Sequence, residues 1–460
     1  MSRLVVVSNR VGPVKDAARA GGLAVALVEA LSAAGGLWYG WSGETSEDND
    51  GRLRMTQDGD VTLATLDLTD HGYEQYYNGF ANRTLWPLFH YRLDLTSFDR
   101  SYYETYQQVN AQFAEGLVPL LQPDDLIWVH DYHFLAFGQE LRRLNCDQTI
   151  GFFLHIPFPA REVFITLPRH DKLVEALFAY DVLGFQTDRD RRMFQDYVVR
   201  ELGGEVWENK ARAFGRTIEV RTFPIGIDTQ TFVDSSSSPE AINQYTSMRE
   251  MLKGRHQIIG VDRLDYTKGL PERFHSFERL LEDYPDIHRK VSFMQIAPVS
   301  RSSVEEYVDI RQELEGASGR INGRFAEFDW TPLRYLNRSF TRHQLAGLYR
   351  ASRIGLVTPL RDGMNLVAKE YVAAQDPDDP GVLVLSRFAG AATQLRSALI
   401  VNPYDVKAVA DAMNEALHMT LQERRDRHQS MMPDLLANNV NVWRDNFIDA
   451  MNAVERREAA

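Results

Sequence analysis

Two cations five residues apart, Arg263 and Lys268, stand in the segment VDRLDYTKG at 261–269. The segment follows the apolar run Gln257–Val261, so the pair spans one strand-to-helix turn and both heads can reach one ligand. Two cations aimed at a departing diphosphate stabilise charge that grows in a transition state. Arginine grips such a group bidentately, while lysine acts as a point charge. The plain alternative is that Arg263 pairs with Asp262 or Asp265 at the surface, which is worth about 0–1 kcal/mol. A second segment, RIGLVTPLRDGMNLVAKEYVAAQ at 353–375, has matching chemistry. Its apolar run Ile354–Leu360 reads as a buried strand, and Arg361-Asp362-Gly363-Met364-Asn365 reads as a tight turn. A helix pattern begins at about Leu366. The free N–H groups and positive dipole end of such a helix hold anions. Glu370, one turn in, can accept paired hydrogen bonds from a sugar diol.

Polar residues recur at other strand ends. Ser8-Asn9-Arg10 follow LVVV, His130 and Asp131 follow LIWV, and His155 follows IGFFL. Gln186-Thr187 follow VLGF, and Arg301 follows FMQIAPVS. Taken singly, an aspartate after a strand is a helix cap and a histidine is a core residue. Their recurrence at one edge argues for a site, because open α/β sheets bind ligands beyond the carboxyl ends of their strands. Gly21-Gly22 open the first helical pattern and allow backbone to approach a phosphate. Asp188-Arg189-Asp190 sits where a helix starts and reads as N-terminal capping, not as a metal clamp. Trp38, Tyr39, Trp41, Tyr76, Tyr77 and Trp86 form an aromatic cluster able to serve a core or a sugar face. No GxGxxG follows the first strand, and neither GxxxxGK[ST] nor HExxH occurs, which disfavours dinucleotide dehydrogenases, P-loop nucleotidases and zincins.

These residues need a scaffold of parallel strands. Candidate strands are Leu4–Ser8, Leu126–His130, Ile150–His155, Val182–Gln186, Glu219–Ile225, Gln257–Val261, Val291–Ile296, Ile354–Thr358, Val382–Ser386 and Leu399–Val401. They alternate with helical patterns at Gly22–Ala33, Tyr103–Leu121, Pro271–Asp283, Ser303–Leu314 and Val406–Met419. Such alternation predicts an α/β protein with helix-covered parallel sheets. Residues 60–95 read as an inserted, partly antiparallel region. The serine run at 235–238 predicts a boundary, giving two similar domains, 1–236 and 237–440, facing across a cleft.

Composition narrows the function. The 460 residues are 44% hydrophobic and 25% charged, with net charge −13. That disfavours nucleic-acid and membrane binding, which need a broad basic face. Cys146, the sole cysteine, reads as a structural or surface thiol and supplies no metal cluster. The opening MSRLVVVSNR has too short an apolar stretch for a signal peptide, and a cytoplasmic protein is expected.

The ordered segments VVVSNR (5–10), GGLAVAL (21–27), GWSGE (40–44), LWPLFHYR (85–92), WVHDYH (128–133), FFLHIPFP (152–159), GFQT (184–187), PIGID (224–228), RLDYTKGLPERF (263–274), QIAPVSR (295–301), RINGRF (320–325) and TPLRDGMNLVAKEYVAAQ (358–375) resemble the trehalose-6-phosphate synthases. These are retaining glycosyltransferases of GT-B fold, with two Rossmann-like domains, and the resemblance covers nearly the whole chain. It implies that Arg10, Trp41, Tyr77 and Arg301 hold the phosphate of glucose 6-phosphate. Asp131 would bind acceptor hydroxyls, with Trp86 shaping the site. Gly22, Arg263 and Lys268 would hold the donor diphosphate, and His155 the donor glucose. Asp362 and the backbone of Gly363, Met364, Asn365 and Leu366 would bind donor glucose and phosphate. Glu370 would take the ribose, and Ile296 and Phe340 would lie near the base. Residues 441–460 would form a helical segment returning to the first domain.

The implied reaction joins UDP-glucose and glucose 6-phosphate into α,α-trehalose 6-phosphate and UDP, with no cofactor or metal. Retention needs a carboxylate nucleophile or attack from the leaving-group side. The resemblance favours the second, with Asp131 and Asp362 as formal candidates for the first. A pseudo-glycosyltransferase coupling a nucleotide-cyclitol to an amino-cyclitol phosphate, or a non-catalytic sugar-phosphate sensor, are the alternatives. The expected partners are small-molecule substrates and further copies of the chain in a homo-oligomer.

Overall fold

The computed structural model describes residues 2–12, 31, 35–47, 53–299 and 305–454. The chain divides into two compact units, Met1–Ile225 with Val440–Ala460, and Gly226–Asn439.

The first unit carries β1 (Leu4–Arg10), β2 (Gly36–Thr45), β3 (Arg54–Asp58), β4 (Val61–Leu68), β5 (Leu126–His130), β6 (Thr149–Leu154), β7 (Val182–Phe185), β8 (Glu205–Trp207), β9 (Lys210–Ala213) and β10 (Arg216–Thr222). Their order in the sheet is β3-β4-β2-β1-β5-β6-β7-β10-β9-β8. From β4 to β10 every neighbouring pair is parallel. Antiparallel β3 closes one edge, and β9 and β8 the other. Numbered along the chain, the parallel strands run third, second, first, then fourth onward, which is the doubly wound order. The direction of winding reverses between β1 and β5. LVVV, LIWV and GFFL are wholly buried, as strands covered on both faces must be.

The second unit carries β11 (His256–Val261), β12 (Val291–Ile296), β13 (Leu333–Leu336), β14 (Ile354–Val357), β15 (Val382–Ser386) and β16 (Leu399–Val401). The order is β13-β12-β11-β14-β15-β16, all parallel. Here the reversal falls between β11 and β14.

Three expectations need correction. Residues 60–95 are not an insertion: β4 pairs in parallel with β2 inside the main sheet, and only its β3 partner is antiparallel. A wide helix follows over Tyr73–Leu85, whose exit is marked by the Trp86 N–H bonding the Ala81 carbonyl five residues back. Helices of this π type are rare and concentrate at functional sites. Second, the serine run is not the boundary. The division falls at Ile225/Gly226, and the serines do helix-end work inside the second unit. Ser235 ends the Thr229–Ser235 helix, and Ser238 caps Pro239–Leu252 by accepting from the Ala241 N–H. Third, β10 lies earlier than Glu219–Ile225, because residues 224–228 leave the sheet as a connection between units. The expected helix over Gly22–Ala33 falls almost wholly outside the described residues.

The helix Val440–Asn452 belongs to the first unit. Its Trp443 and Phe447 rings lie 4.8 Å from the Trp128 ring of β5, and Trp443 meets Phe153 of β6 edge-on at 5.2 Å.

Candidate active site

The switch point of the first sheet gathers Arg10, Trp41, Tyr77, Trp86, Asp131 and His155 around the ends of β1, β5 and β6. Arg10 closes β1 and is the register partner of Trp41 on β2. The Trp41 ring sits 5.3 Å from Tyr77 and 5.7 Å from Tyr73, both on the wide helix. Tyr77 stacks on His133 at 6.0 Å, with planes 13° apart. Tyr76 donates its hydroxyl to Asn9 Oδ1 at 2.9 Å, tying the wide helix to the end of β1. Trp86 is buried, 4.3 Å from the His90 ring and 5.7 Å from Tyr132. A cation is thus set beside aromatic and hydroxyl groups, a combination that suits a phosphorylated sugar.

Asp131 follows β5 with φ 76° and ψ 170°. That region belongs almost wholly to glycine, costs about 1–3 kcal/mol, and clusters at functional sites. Its N–H bonds the Phe153 carbonyl at 2.8 Å, and its Oδ1 accepts from the His155 N–H at 3.2 Å. These bonds fix the turn in the strained form.

His155 is joined through Nε2 to His130 Nδ1 at 3.0 Å. Burial holds the His155 imidazole down at about 3. Burial, and then His155 itself, holds His130 well below its ordinary value. Both rings are therefore neutral at physiological pH and serve as hydrogen-bonding groups, not as acids.

The switch point of the second sheet is ionic. Lys268 Nζ lies 2.5 Å from Asp362 Oδ2, joining the turn after β11 to the turn after β14. Asn365 Nδ2 bonds the same Asp362 oxygen at 3.1 Å. Arg263 is exposed, with Nη2 3.7 Å from Asp265 Oδ2. Asp265 is itself held by the Thr267 N–H at 2.9 Å and hydroxyl at 2.8 Å.

Asn365 has φ 78° and caps the Leu366–Ala373 helix, accepting from the Ala368 N–H at 3.2 Å. The turn is clamped from outside: Asp362 N–H bonds Phe388 O at 3.1 Å, Gly390 N–H bonds Asp362 O at 3.2 Å, and Ala391 N–H bonds Met364 O at 2.8 Å. A Cβ at position 390 would stand 1.9 Å from the Gly363 carbonyl oxygen, so the clamp requires glycine there. Glu370 lies on this helix, its Oε2 3.5 Å from the Tyr349 hydroxyl. Burial first, then the Glu370 charge, pushes the Tyr349 phenol well up. Ile296 is buried at the end of β12, and Phe340 lies beneath the Arg338 guanidinium at 4.7 Å.

Arg273 was not singled out by sequence reading. It is fully buried, donating to Asp262 Oδ2 at 2.7 Å, Gln295 Oε1 at 2.9 Å and Thr358 Oγ1 at 3.1 Å. It thereby bolts together the ends of β11, β12 and β14. A Cβ at position 260 would stand 2.6 Å from its Nη1, so Gly260 makes room for it. Its only sequence signal was an arginine in the apolar stripe of an amphipathic helix. Burial raises the Asp262 carboxyl even though Arg273 and Lys268 pull it down. His133 was likewise missed, though it sits in the same WVHDYH run.

Gly22 and Arg301 lie outside the described residues. Asp188 and Asp190 form the first turn of a helix capped by Thr187, as their spacing predicts. Cys146 is buried, with Sγ 2.9 Å from Gln148 Oε1. No described helix is long and apolar enough to cross a membrane.

The sequence profile of glycosyltransferase family 20 matches residues 6–453. Trehalose-6-phosphate synthase of Escherichia coli (strain K12) is 50% identical over 461 residues, covering 100% of this chain and 97% of that one. The crystal structure of an alpha,alpha-trehalose-phosphate synthase (UDP-forming) from Burkholderia xenovorans in complex with glucose-6-phosphate matches with a TM-score of 0.96 at 52% identity, over 98% of this chain and 100% of the other. A structure of the Escherichia coli protein bound with UDP-2-fluoro glucose matches with a TM-score of 0.95 at 50% identity, over 99% and 100%. The two doubly wound sheets, their polar switch points and this end-to-end likeness have one meaning: the chain belongs to glycosyltransferase family 20.

Proposed function

We propose that this chain transfers glucose from UDP-glucose to the anomeric hydroxyl of glucose 6-phosphate with retention, releasing UDP and α,α-trehalose 6-phosphate. The observation that carries the reading is the Lys268–Asp362 contact at the second switch point, beside the capped N-terminus of Leu366–Ala373. A cation, a carboxylate and a helix dipole at one strand edge suit a sugar diphosphate. The likeness to a glucose-6-phosphate complex and to a UDP-2-fluoro glucose complex supports the choice of substrates.

In this reading one set of residues holds the acceptor. Arg10, Trp41, Tyr77 and Arg301 take its phosphate, Asp131 its hydroxyls, and Trp86 limits the pose. A second set holds the donor. Gly22, Arg263 and Lys268 take the diphosphate, and Glu370 takes the ribose diol. Ile296 and Phe340 flank the base, and His155 donates or accepts at a glucose hydroxyl as a neutral ring. Asp362, with the backbone from Gly363 to Leu366, contacts donor glucose and phosphate.

As the C1–O bond breaks, its electron pair moves to the diphosphate. Lys268, Arg263 and the helix N-terminus stabilise that growing charge. The acceptor oxygen bonds to C1 on the face the diphosphate leaves, and a phosphate oxygen takes its proton. Configuration is thereby kept without a covalent enzyme intermediate. The reaction is expected in the cytoplasm and in a homo-oligomer, the common state of soluble enzymes.

The test mixes purified protein, UDP-glucose and glucose 6-phosphate with EDTA present, and follows UDP release and product by NMR. An α,α-1,1-linked disaccharide phosphate is the expected product. Binding without turnover on UDP-, ADP- and GDP-glucose alike would overturn the reading in favour of cyclitol coupling or sensing.

A further inference from the structure

Gln186, at the end of β7, belongs to neither substrate set of the proposed transfer, yet it is 2% exposed and lies beside one of its members. Leu154 of β6 and Phe185 of β7 are register partners, so His155 and Gln186 leave neighbouring strands side by side. On the other flank, His130 of β5 is the partner of Phe153, two residues before His155. Three polar side chains thus stand in a row across the carboxyl ends of β5, β6 and β7. The middle one, His155, is half-buried.

The row has a direction. The Ile225 N–H donates to Gln186 Oε1 at 3.0 Å. An N–H offers no lone pair, so this end of the amide is its oxygen and the other end is its NH₂ group. That NH₂ nitrogen lies 3.5 Å from His155 Nδ1. The contact is long, but its polarity is plain: a proton on Nδ1 would set N–H against N–H. A neutral imidazole carries one proton, and the partner at one nitrogen decides which nitrogen holds it. The His155 proton is therefore on Nε2, which donates to His130 Nδ1 at 3.0 Å. His130, accepting at Nδ1, carries its own proton on Nε2. Donation runs one way, from the Ile225 peptide through Gln186 and His155 to His130. With Nε2 engaged by His130, Nδ1 is the ring nitrogen that His155 has for a ligand.

We propose that Gln186 is a positioning residue for the transfer reaction: anchored by Ile225, it holds His155 as the Nε2–H tautomer, so that the ring meets donor glucose through the Nδ1 lone pair as a hydrogen-bond acceptor. This rests on the reading that His155 contacts donor glucose. A sugar hydroxyl donates to Nδ1, joining or replacing the long Gln186 contact. A fluorine at the same carbon has no proton to donate and is refused.

Nitrogen-15 NMR of the full chain, labelled at histidine, reads the tautomer directly, with the His155 signals assigned by their loss in His155→Phe. The expected spectrum has a protonated Nε2 and a bare Nδ1. Gln186→Glu keeps the length of the side chain and an acceptor for Ile225, but turns the atom facing Nδ1 from donor to acceptor. Nδ1 should then gain a proton, a change that loss of packing alone would not produce. In steady-state kinetics the same variant should lower kcat/KM for UDP-glucose by about tenfold or more and leave the KM for glucose 6-phosphate within about twofold. A wild-type His155 protonated at Nδ1 overturns the proposal whether or not the variant folds. So does a variant whose proton has moved while kcat/KM for UDP-glucose has not. A wild type with the expected spectrum and no turnover would sink the transfer reading, and the role of Gln186 with it, while leaving the tautomer in place.

Discussion

The two sheets share a strand order, yet the floors beneath their switch points are built from opposite materials. Under the first lie neutral rings: His130 and His155 bonded to each other, sealed by Trp128, Trp443 and Phe447. Under the second lies a charge lattice in which Arg273 grips Asp262, Gln295 and Thr358. The proposed ligands explain the contrast. Sugar hydroxyls are read by neutral donors and acceptors, and burial makes a protonated histidine costly there. A diphosphate needs cations, and Lys268 and Arg263 can be aimed only if the strand ends behind them stay fixed. The doubly wound order sets where a site forms, and the floor sets what it can hold.

The largest test of the contrast breaks the ionic floor. Arg273→Met strands the Asp262 carboxylate in the core, and losing one partner of a buried pair costs about 3–5 kcal/mol. Denaturant unfolding should show that loss, and Asp262→Asn added to Arg273→Met should restore much of it. A single-variant cost below about 1 kcal/mol would mean that the lattice is ornamental.

Next in size is a kinetic asymmetry. Lys268→Ala should lower kcat by about 10²–10³-fold, the effect of removing one group aimed at transition-state charge. Arg10→Ala on the other unit should act mainly on the KM for glucose 6-phosphate, by about 10–100-fold, as expected for one hydrogen bond to a charged group. Steady-state kinetics on both substrates separates the two. A Lys268→Ala effect confined to the KM for UDP-glucose would contradict the assigned division of labour.

Much of this contrast is legible in the sequence. The strand ends were marked because strands covered on both faces read as unbroken apolar runs, so each run's stop located a ligand edge: LIWV before His130, IGLV before the Asp362 turn. What escaped were elements whose signal lies in partners distant along the chain. β2, GLWYGWSGET, is broken by glycines and read as an aromatic cluster. β4, VTLATLDL, alternates because it lies near the sheet's edge, and so read as an insertion. Arg273 looks like any helix arginine until Gly260 and Asp262 are seen to make its socket. The serine run misled because cap chemistry and linker composition use the same residue.

A smaller effect concerns acid. His155 and His130 are depressed in the native state, His155 to about 3. Between that value and the ordinary 6.5 the unfolded chain binds protons that the folded rings refuse. Their contribution to stability is therefore present above about 6.5 and lost as pH falls toward 3. Replacing His130 with phenylalanine removes one of the two groups, so stability should fall less steeply with acid across that window. Equal slopes for variant and wild type in urea midpoints would show that the rings are not buried as neutral groups. The second unit's ionic floor predicts no such dependence on histidine.

The smallest effect bears on the feature both units share, a non-glycine residue forced to positive φ in the turn that follows its fourth parallel strand. Asp131 stands at φ 76° and ψ 170°, Asn365 at φ 78° and ψ 92°. Asn365 recovers part of its strain by capping the Ala368 N–H. Asp131 is held in its turn by the bond from its N–H to the Phe153 carbonyl and by accepting from the His155 N–H. If Asp131 is held there for its carboxylate, removing the side chain should separate stability from function. Asp131→Gly and Asp131→Ala both delete the carboxylate, but only glycine relieves the backbone. Glycine should be the more stable of the two by about 1–3 kcal/mol in thermal or denaturant unfolding, while both lose activity alike. Asn365→Gly and Asn365→Ala should each lose less activity than the Asp131 variants, because the proposed role there belongs to backbone N–H groups that any residue supplies. If alanine equals glycine in stability at 131, the strain is not real. If either retains full turnover, the carboxylate is not the reason this turn is bent against the preference of its residue.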